Sequence, residues 1–237
     1  VLAKDIGIPA LALRQLNLIE PSDLPFLSGA TLATLPVRFE SGDFPALLAK
    51  AVEGTGYHES VDVLADGRRE AWGMACGIEA GGLVNFESAL IRVDTAGNVI
   101  VFSGMTTQGQ GQLTTYAQVC AEALGVDFER IQVRMGDTQL VSFGRGAFAS
   151  RGAVFGASAV HRAALALRSK ALGYAATLLQ STEAELTIVD GVVRRATGED
   201  TGLDLGKIAR AVMPGGALFD GEGALEAQHV FKADQPL

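Results

Sequence analysis

The sequence predicts an α+β fold of mixed sheets with packed helices, and three observations carry that prediction. Residues 86–93 and 99–102 read as strands about Asp94-Thr95-Ala96-Gly97-Asn98, a hairpin signal. Ala157, Val160, Ala164, Leu167, Ala171, Ala175 and Leu178 recur at helical spacing and mark one face of a long helix. Two glycine-rich stretches, 104–111 and 136–152, each lie between a strand pattern and a helix pattern.

Composition bounds the rest. The 237 residues are 48% hydrophobic, enough for one large domain or two small ones with an ample core. A net charge of −8 and the lack of any basic run argue against a nucleic-acid surface. Cys76 and Cys120 stand apart, without C-x-x-C spacing, and read as buried small hydrophobes. His58, His161 and His229 are too scattered for a classical zinc site. No apolar run reaches membrane-spanning length, and the N-terminus carries no signal-peptide pattern. The cytoplasm is the expected compartment, with the periplasm the alternative for an intact enzyme. Val1-Leu2-Ala3-Lys4 starts directly in a helical pattern without Met, which reads as a chain cut from a longer one.

The division expected is 1–69, a helical N-terminal segment and linker, then 70–237, an α+β core. Residues 1–6 are a helix end stopped by Gly7, and Pro9 opens a second helix bearing Leu11, Leu13 and Leu16. Residues 17–36, with three prolines, are expected as a loop whose Phe26 and Leu27 cover another domain or partner. Asp43 caps a helix with Pro45 in its first turn. A polar surface segment at 57–69, read as a helix or linker, and a strand at 70–79 follow, the latter broken by Ala80-Gly81-Gly82. After the hairpin come a helix over 114–124 stopped by Gly125, a strand over 131–135, and the long helix to about Gln180. Strands at 185–189 and 192–195 flank Asp190-Gly191, a helix spans 201–212, and a last strand spans 224–232.

The chain is organised around Thr106-Thr107-Gln108-Gly109-Gln110-Gly111-Gln112. A strand, a glycine turn and a helix start aim backbone N–H groups at one spot, an arrangement that receives anions. No charged residue lies between Thr95 and Ala121, so the loop offers neutral hydrogen bonds to a large polar ligand. It is not a Walker loop, since no Lys follows the second glycine, and it lacks the G-x-G-x-x-G spacing. The alternative is an ordinary strand–helix turn. Ala149-Ser150-Arg151-Gly152 precedes the long helix in the same way. Ser150 offers a hydroxyl and Arg151 a positive charge to a diphosphate; otherwise Ser150 is an N-cap and Arg151 a surface residue. Arg151 either points into the cleft or pairs with a carboxylate such as Asp137.

The run Gly104 to Thr115, with Gln118 and Ala121-Glu122-Ala123-Leu124-Gly125-Val126, resembles the molybdenum-binding subunit of the xanthine dehydrogenase/aldehyde oxidase family, most of all its carbon monoxide dehydrogenase large-subunit branch. Gly136-Asp137-Thr138, Gly146 to Arg151, Leu13 to Ile19 and Ser41 to Pro45 are similar to further motifs of that family, in family order. The resemblance implies an internal fragment of the molybdopterin-binding domain. It implies that Gln108, Gly109, Gln110 and Gly111 touch a molybdopterin cofactor. Ala149, Ser150, Arg151 and Gly152 would bind its pyrophosphate and dinucleotide end, the cytosine dinucleotide form being expected. Many relatives carry Ser where this chain has Gly152.

The resemblance further implies oxidation of a small-molecule substrate: an aldehyde, an N-heterocycle or carbon monoxide. Electrons would pass through 2Fe–2S clusters to FAD on partner subunits or domains, and the rest of the large subunit would complete the site. Molybdenum would be ligated by the cofactor's dithiolene, so no metal ligand need come from the chain. The family's Gly-Gly-Phe-Gly segment and its Gly-x-Gly-Glu segment, which bears the catalytic base, have no equivalent here. The role of base is not carried onto Glu222, and no catalytic residue is assigned. This chain alone is therefore expected to be inactive. The competing reading is a non-catalytic domain that binds a nucleotide or another subunit.

Overall fold

A computed structural model describes residues 1–32, 35–78, 86–221 and 223–233. The chain divides into two units, Val1–Ile78 and Glu79–Leu237. In the first, α1 (Leu2–Ile6) ends at Gly7, whose φ of 73° is the left-handed conformation that glycine adopts without steric cost. α2 (Ala10–Asn17) follows Pro9, and its Arg14 donates to the Met74 carbonyl at 2.8 Å. The loop expected over 17–36 is in part a hairpin: β1 (Phe26–Leu32) pairs antiparallel with β2 (Leu35–Phe39). A two-stranded sheet has only edges, so Pro36 costs no interior ladder bond there. The Phe26 and Phe39 rings stack with centroids 6.5 Å apart, and Gly29 (φ 76°) lies where the register shifts. Phe26 and Leu27 remain exposed.

α3 (Phe44–Thr55) begins as its sequence predicts, with the Asp43 carboxylate accepting from Ala46 N at 2.9 Å, and ends at Gly56. The segment expected as a surface helix or linker forms no helix and carries two short strands, β3 (Asp62–Val63) and β4 (Arg69–Glu70). Residues 71–78 form no strand, against the expectation for 70–79: Trp72 and Ile78 stay exposed, so no buried face rewards pairing. Cys76 is likewise exposed rather than buried. The expected break at Ala80-Gly81-Gly82, and Glu222, lie outside the described residues.

The second unit is built on a four-stranded sheet. β5 (Phe86–Val93) and β6 (Val99–Ser103) form the predicted hairpin. α4 (Gln112–Leu124) crosses over from β6 to β7 (Ile131–Met135), which pairs parallel to β6. α5 (Ser158–Leu179) follows a π-helical turn, Gly152–Ala157. β8 (Leu186–Val189) and β9 (Val192–Arg195) form the second predicted hairpin, and Asp190 and Gly191 both take positive φ in its turn. The helix expected over 201–212 begins only at Leu205. Residues 200–204 are β10 (Asp200–Asp204), paired with β9, and Asp204 caps α6 (Leu205–Val212). β11 (Glu226–Lys232) closes the large sheet beside β5, giving the order β11-β5-β6-β7.

The core lies between this sheet and the α4/α5 pair. Ile91 and Val101 from the sheet, Tyr116 and Leu124 from α4, and Val160 and Leu167 from α5 are all fully buried. The alanines of α5 keep the contact close. Their geometry leaves both glycine-rich stretches at the same end of the sheet: 104–111 follows β6, and 136–151 follows its parallel neighbour β7. Fold class, mixed sheets with packed helices, is as the sequence predicts.

Candidate functional site

The two glycine-rich loops are locked together backbone to backbone. A Cβ on Gly104 would lie 2.6 Å from both Gly144 Cα and the Phe143 oxygen, and a Cβ on Gly144 would lie 2.6 Å from Gly104 Cα. No side chain fits at that crossing. Ser88 Oγ donates to the Phe143 carbonyl. Ala147 N donates to Thr106 Oγ1 at 3.4 Å, and Gln108 Nε2 donates to the Ala147 carbonyl at 3.2 Å. Tyr116 Oη, on α4, donates to the Gly152 carbonyl at 2.8 Å. Burial, with the nearby Glu87 charge, pushes the Tyr116 phenol well above its ordinary range.

Inside the first loop, Gln110 Oε1 accepts from Gln108 N at 2.6 Å. That bond leaves the amide end of Gln110 as the part not used within the loop. Gly109 and Gly111 take φ of 96° and 81°, which turn the chain into α4. In the second loop, Ala149 and Ser150 stand at φ of 45° and 54°, consecutive left-handed residues without glycine's freedom. Such strain persists only where surroundings over-determine it.

Arg151 is that determinant, and of its two expected placements it takes the one paired with a carboxylate. Its side chain is fully buried and held inside the protein. Nη1 lies 2.7 Å from Glu87 Oε2 and donates to the Gly146 carbonyl at 2.7 Å; Nη2 donates to the Phe86 carbonyl. The rings of Phe148 and Phe155 flank it at 5.2 and 5.4 Å. Glu87 also accepts from Arg145 N at 3.2 Å. Asp137 is not the partner; it accepts from Gln139 N at 2.9 Å. The physical reason is that a desolvated guanidinium needs a carboxylate at contact distance, and β5 delivers one beneath the loop.

The result is one cavity of about 640 Å³, a size suited to a large cofactor group, walled by both loops. Gln108, Gln110, Ala149, Ser150, Arg151 and Gly152 line it; Gly109 and Gly111 do not, and set the turn behind it. Gln110 and Ser150 are both exposed. Gln112, the last residue of the central stretch, lines it as well, as do Tyr116 and Phe148, which sequence reasoning missed, as it missed Glu87. Glu87 was visible in one respect: it falls in step with Ala89, Ile91 and Val93, a charge on the buried side of a strand. Among the described residues that line the cavity, none is Asp, Glu, His or Cys. The cavity can hold and orient a polar ligand through amides, hydroxyls and the starts of two helical segments, while its described lining offers no group suited to moving a proton near neutral pH.

A β–α–β crossover with paired glycine loops at the strand ends, over one cavity, is an arrangement suited to binding a large ligand. The family model for the molybdopterin cofactor-binding domain matches residues 50–236, and the chain belongs to that family. It is 33% identical over 232 residues to the gamma subunit of the 6-hydroxypseudooxynicotine dehydrogenase complex of Paenarthrobacter nicotinovorans, covering 96% of this chain and 29% of that protein. It is 30% identical to the nicotine 6-hydroxylase large subunit of the same organism, covering 89% of this chain and 27% of that protein. Among solved structures, a Cu,Mo-CO dehydrogenase chain superposes with a TM-score of 0.62 at 25% identity, over 99% of this chain and 31% of that chain. The chain thus spans under a third of the length of the relatives it matches.

Proposed function

We propose that this chain forms one wall of the cofactor site in the large subunit of a molybdenum hydroxylase or dehydrogenase. The single observation that carries the reading is the convergence of both glycine loops on one neutral cavity. The residues fit the cofactor by their chemistry. Gln112 Oε1 is a buried acceptor with no partner among the described residues, and the lining supplies neutral donors for a diphosphate and a pterin edge. Gln108 and Gln110 hold the pterin end, presented by the turn that Gly109 and Gly111 set. Ser150 and the backbone of 149–152 hold the pyrophosphate and the nucleotide, in its cytosine form. Arg151 shapes the second loop from beneath rather than touching the phosphates. When bound, the cofactor supplies two-electron oxidation with oxygen drawn from water.

The substrate is an N-heterocycle, an aldehyde or carbon monoxide; the nicotine-related relatives favour the first. Partners are the rest of the large subunit and subunits or domains bearing 2Fe–2S clusters and FAD. This chain alone is expected to be inactive: none of the described residues that line the cavity is Asp, Glu, His or Cys. Among the described residues no helix is long and apolar enough to cross a membrane, and the cytoplasm is the proposed compartment. The test is elemental and nucleotide analysis of the natively purified complex. Equimolar molybdenum and released cytidine monophosphate are expected; a complex active on its substrate but lacking both would overturn the reading.

A further inference from the structure

Gln112 is the first residue of α4, only 6% exposed, and its Oε1 is buried without a hydrogen-bond partner among the described residues. Native proteins rarely leave a buried acceptor unpaired, because the lost hydration is not returned. The side chain lines the cavity and reaches toward the opposite loop: a Cβ on Gly152 would come within 2.4 Å of its Nε2. Gly152 is not a positive-φ glycine, so its backbone does not require glycine. The Gln112 carboxamide occupies the space a Cβ there would take, so a side chain at 152 would push that carboxamide aside.

We propose that Gln112 is a ligand-binding residue of this cavity, its Oε1 accepting a hydrogen bond from a neutral N–H or O–H donor of the cofactor, with Gly152 keeping the space open. The assignment rests on the cofactor reading above. An ionised diphosphate has no proton to give, so the donor comes from either the pterin or the nucleotide. Both are the same chemistry from two ends of one ligand.

The test is Gln112→Leu in the assembled enzyme, with stability and bound cofactor measured separately. Leucine keeps the bulk and removes the unpaired acceptor. The cofactor-free protein should melt at an equal or higher temperature, while cofactor retention falls about tenfold. A residue serving only to pack α4 would give the opposite pattern, with a lower melting temperature and unchanged retention, and that result overturns the proposal. Reconstitution with molybdopterin and with its dinucleotide form separates the sources: a loss with both forms places the donor on the pterin, a loss with the dinucleotide alone places it on the nucleotide. If Gln112→Leu does not fold, Gly152→Ala displaces the carboxamide while keeping it, and should lower retention; unchanged retention counts against the proposal. A wild-type enzyme that takes up no cofactor would sink the cofactor reading itself, a failure distinct from an unaltered variant.

Discussion

Replacing Glu87 by Gln changes one atom and should be among the most damaging substitutions in the protein. Glu87 and Arg151 are both fully buried, 2.7 Å apart. The amide keeps the shape but leaves the guanidinium charge uncompensated in the core. Breaking a buried pair from one side costs about 3–5 kcal/mol. At roughly 2–4 °C per kcal/mol for a protein of this size, the melting temperature should drop by roughly 6–20 °C. The internal control is Arg92 and Glu226, 2.6 Å apart but with side chains 41% and 35% exposed. Water screens that pair, so Glu226→Gln should cost no more than about 1 kcal/mol. Thermal and urea denaturation of both variants give the comparison. Because Arg151 also holds the Gly146 and Phe86 carbonyls, the Glu87→Gln variant should loosen the loop at 149–152 and lower cofactor content as well. A Glu87→Gln protein as stable as Glu226→Gln would refute the reasoning that this pair sets the loop.

Three further outcomes follow from particular contacts. Gln110→Ala removes the Oε1 that accepts from Gln108 N, and should lower cofactor occupancy in the parent enzyme by the equivalent of about 0.5–1.5 kcal/mol per lost bond, read by molybdenum content. Gly104→Ala forces a Cβ to within 2.6 Å of the opposing loop's backbone, and denaturation should show a loss of about 1–3 kcal/mol. Stability should fall in alkali: Cys120 is pushed by burial from its ordinary 9.0 to about 12, and Tyr116 is raised from 10.0, so the unfolded chain ionises first. The stability these groups contribute is full below pH 9 and is lost as pH rises from there to about 12, at up to about 1.4 kcal/mol per pH unit for each group. Tyr116→Phe with Cys120→Ala should flatten that limb of the denaturation profile.

The parts of the fold legible in the sequence are those set by local chemistry. Asp43 before Phe44-Pro45 caps α3, Gly125 stops α4, and Asp190-Gly191 turns β8 into β9. The apolar stripe of α5 was legible because helical spacing sorts wet from dry residues along its length. The hairpin at 26–39 was not, since prolines that break an interior strand are harmless in a sheet made only of edges. β10 was missed because its partner β9 lies across a turn, and Thr201 Oγ1 bonds the Val193 carbonyl rather than a helix of its own. At the site, the glycine spacing pointed to both loops, but spacing says nothing of which carboxylate would meet Arg151. Glu87, 64 residues away in sequence, was settled by the sheet.

The most direct measurement is an experimental structure of the cofactor-loaded parent enzyme. One ligand is expected to touch both loops, with its pterin end against Gln108 and Gln110 and its diphosphate against Ser150 and the backbone of 149–152. A cofactor that contacts one loop while the other faces only protein or solvent would contradict it.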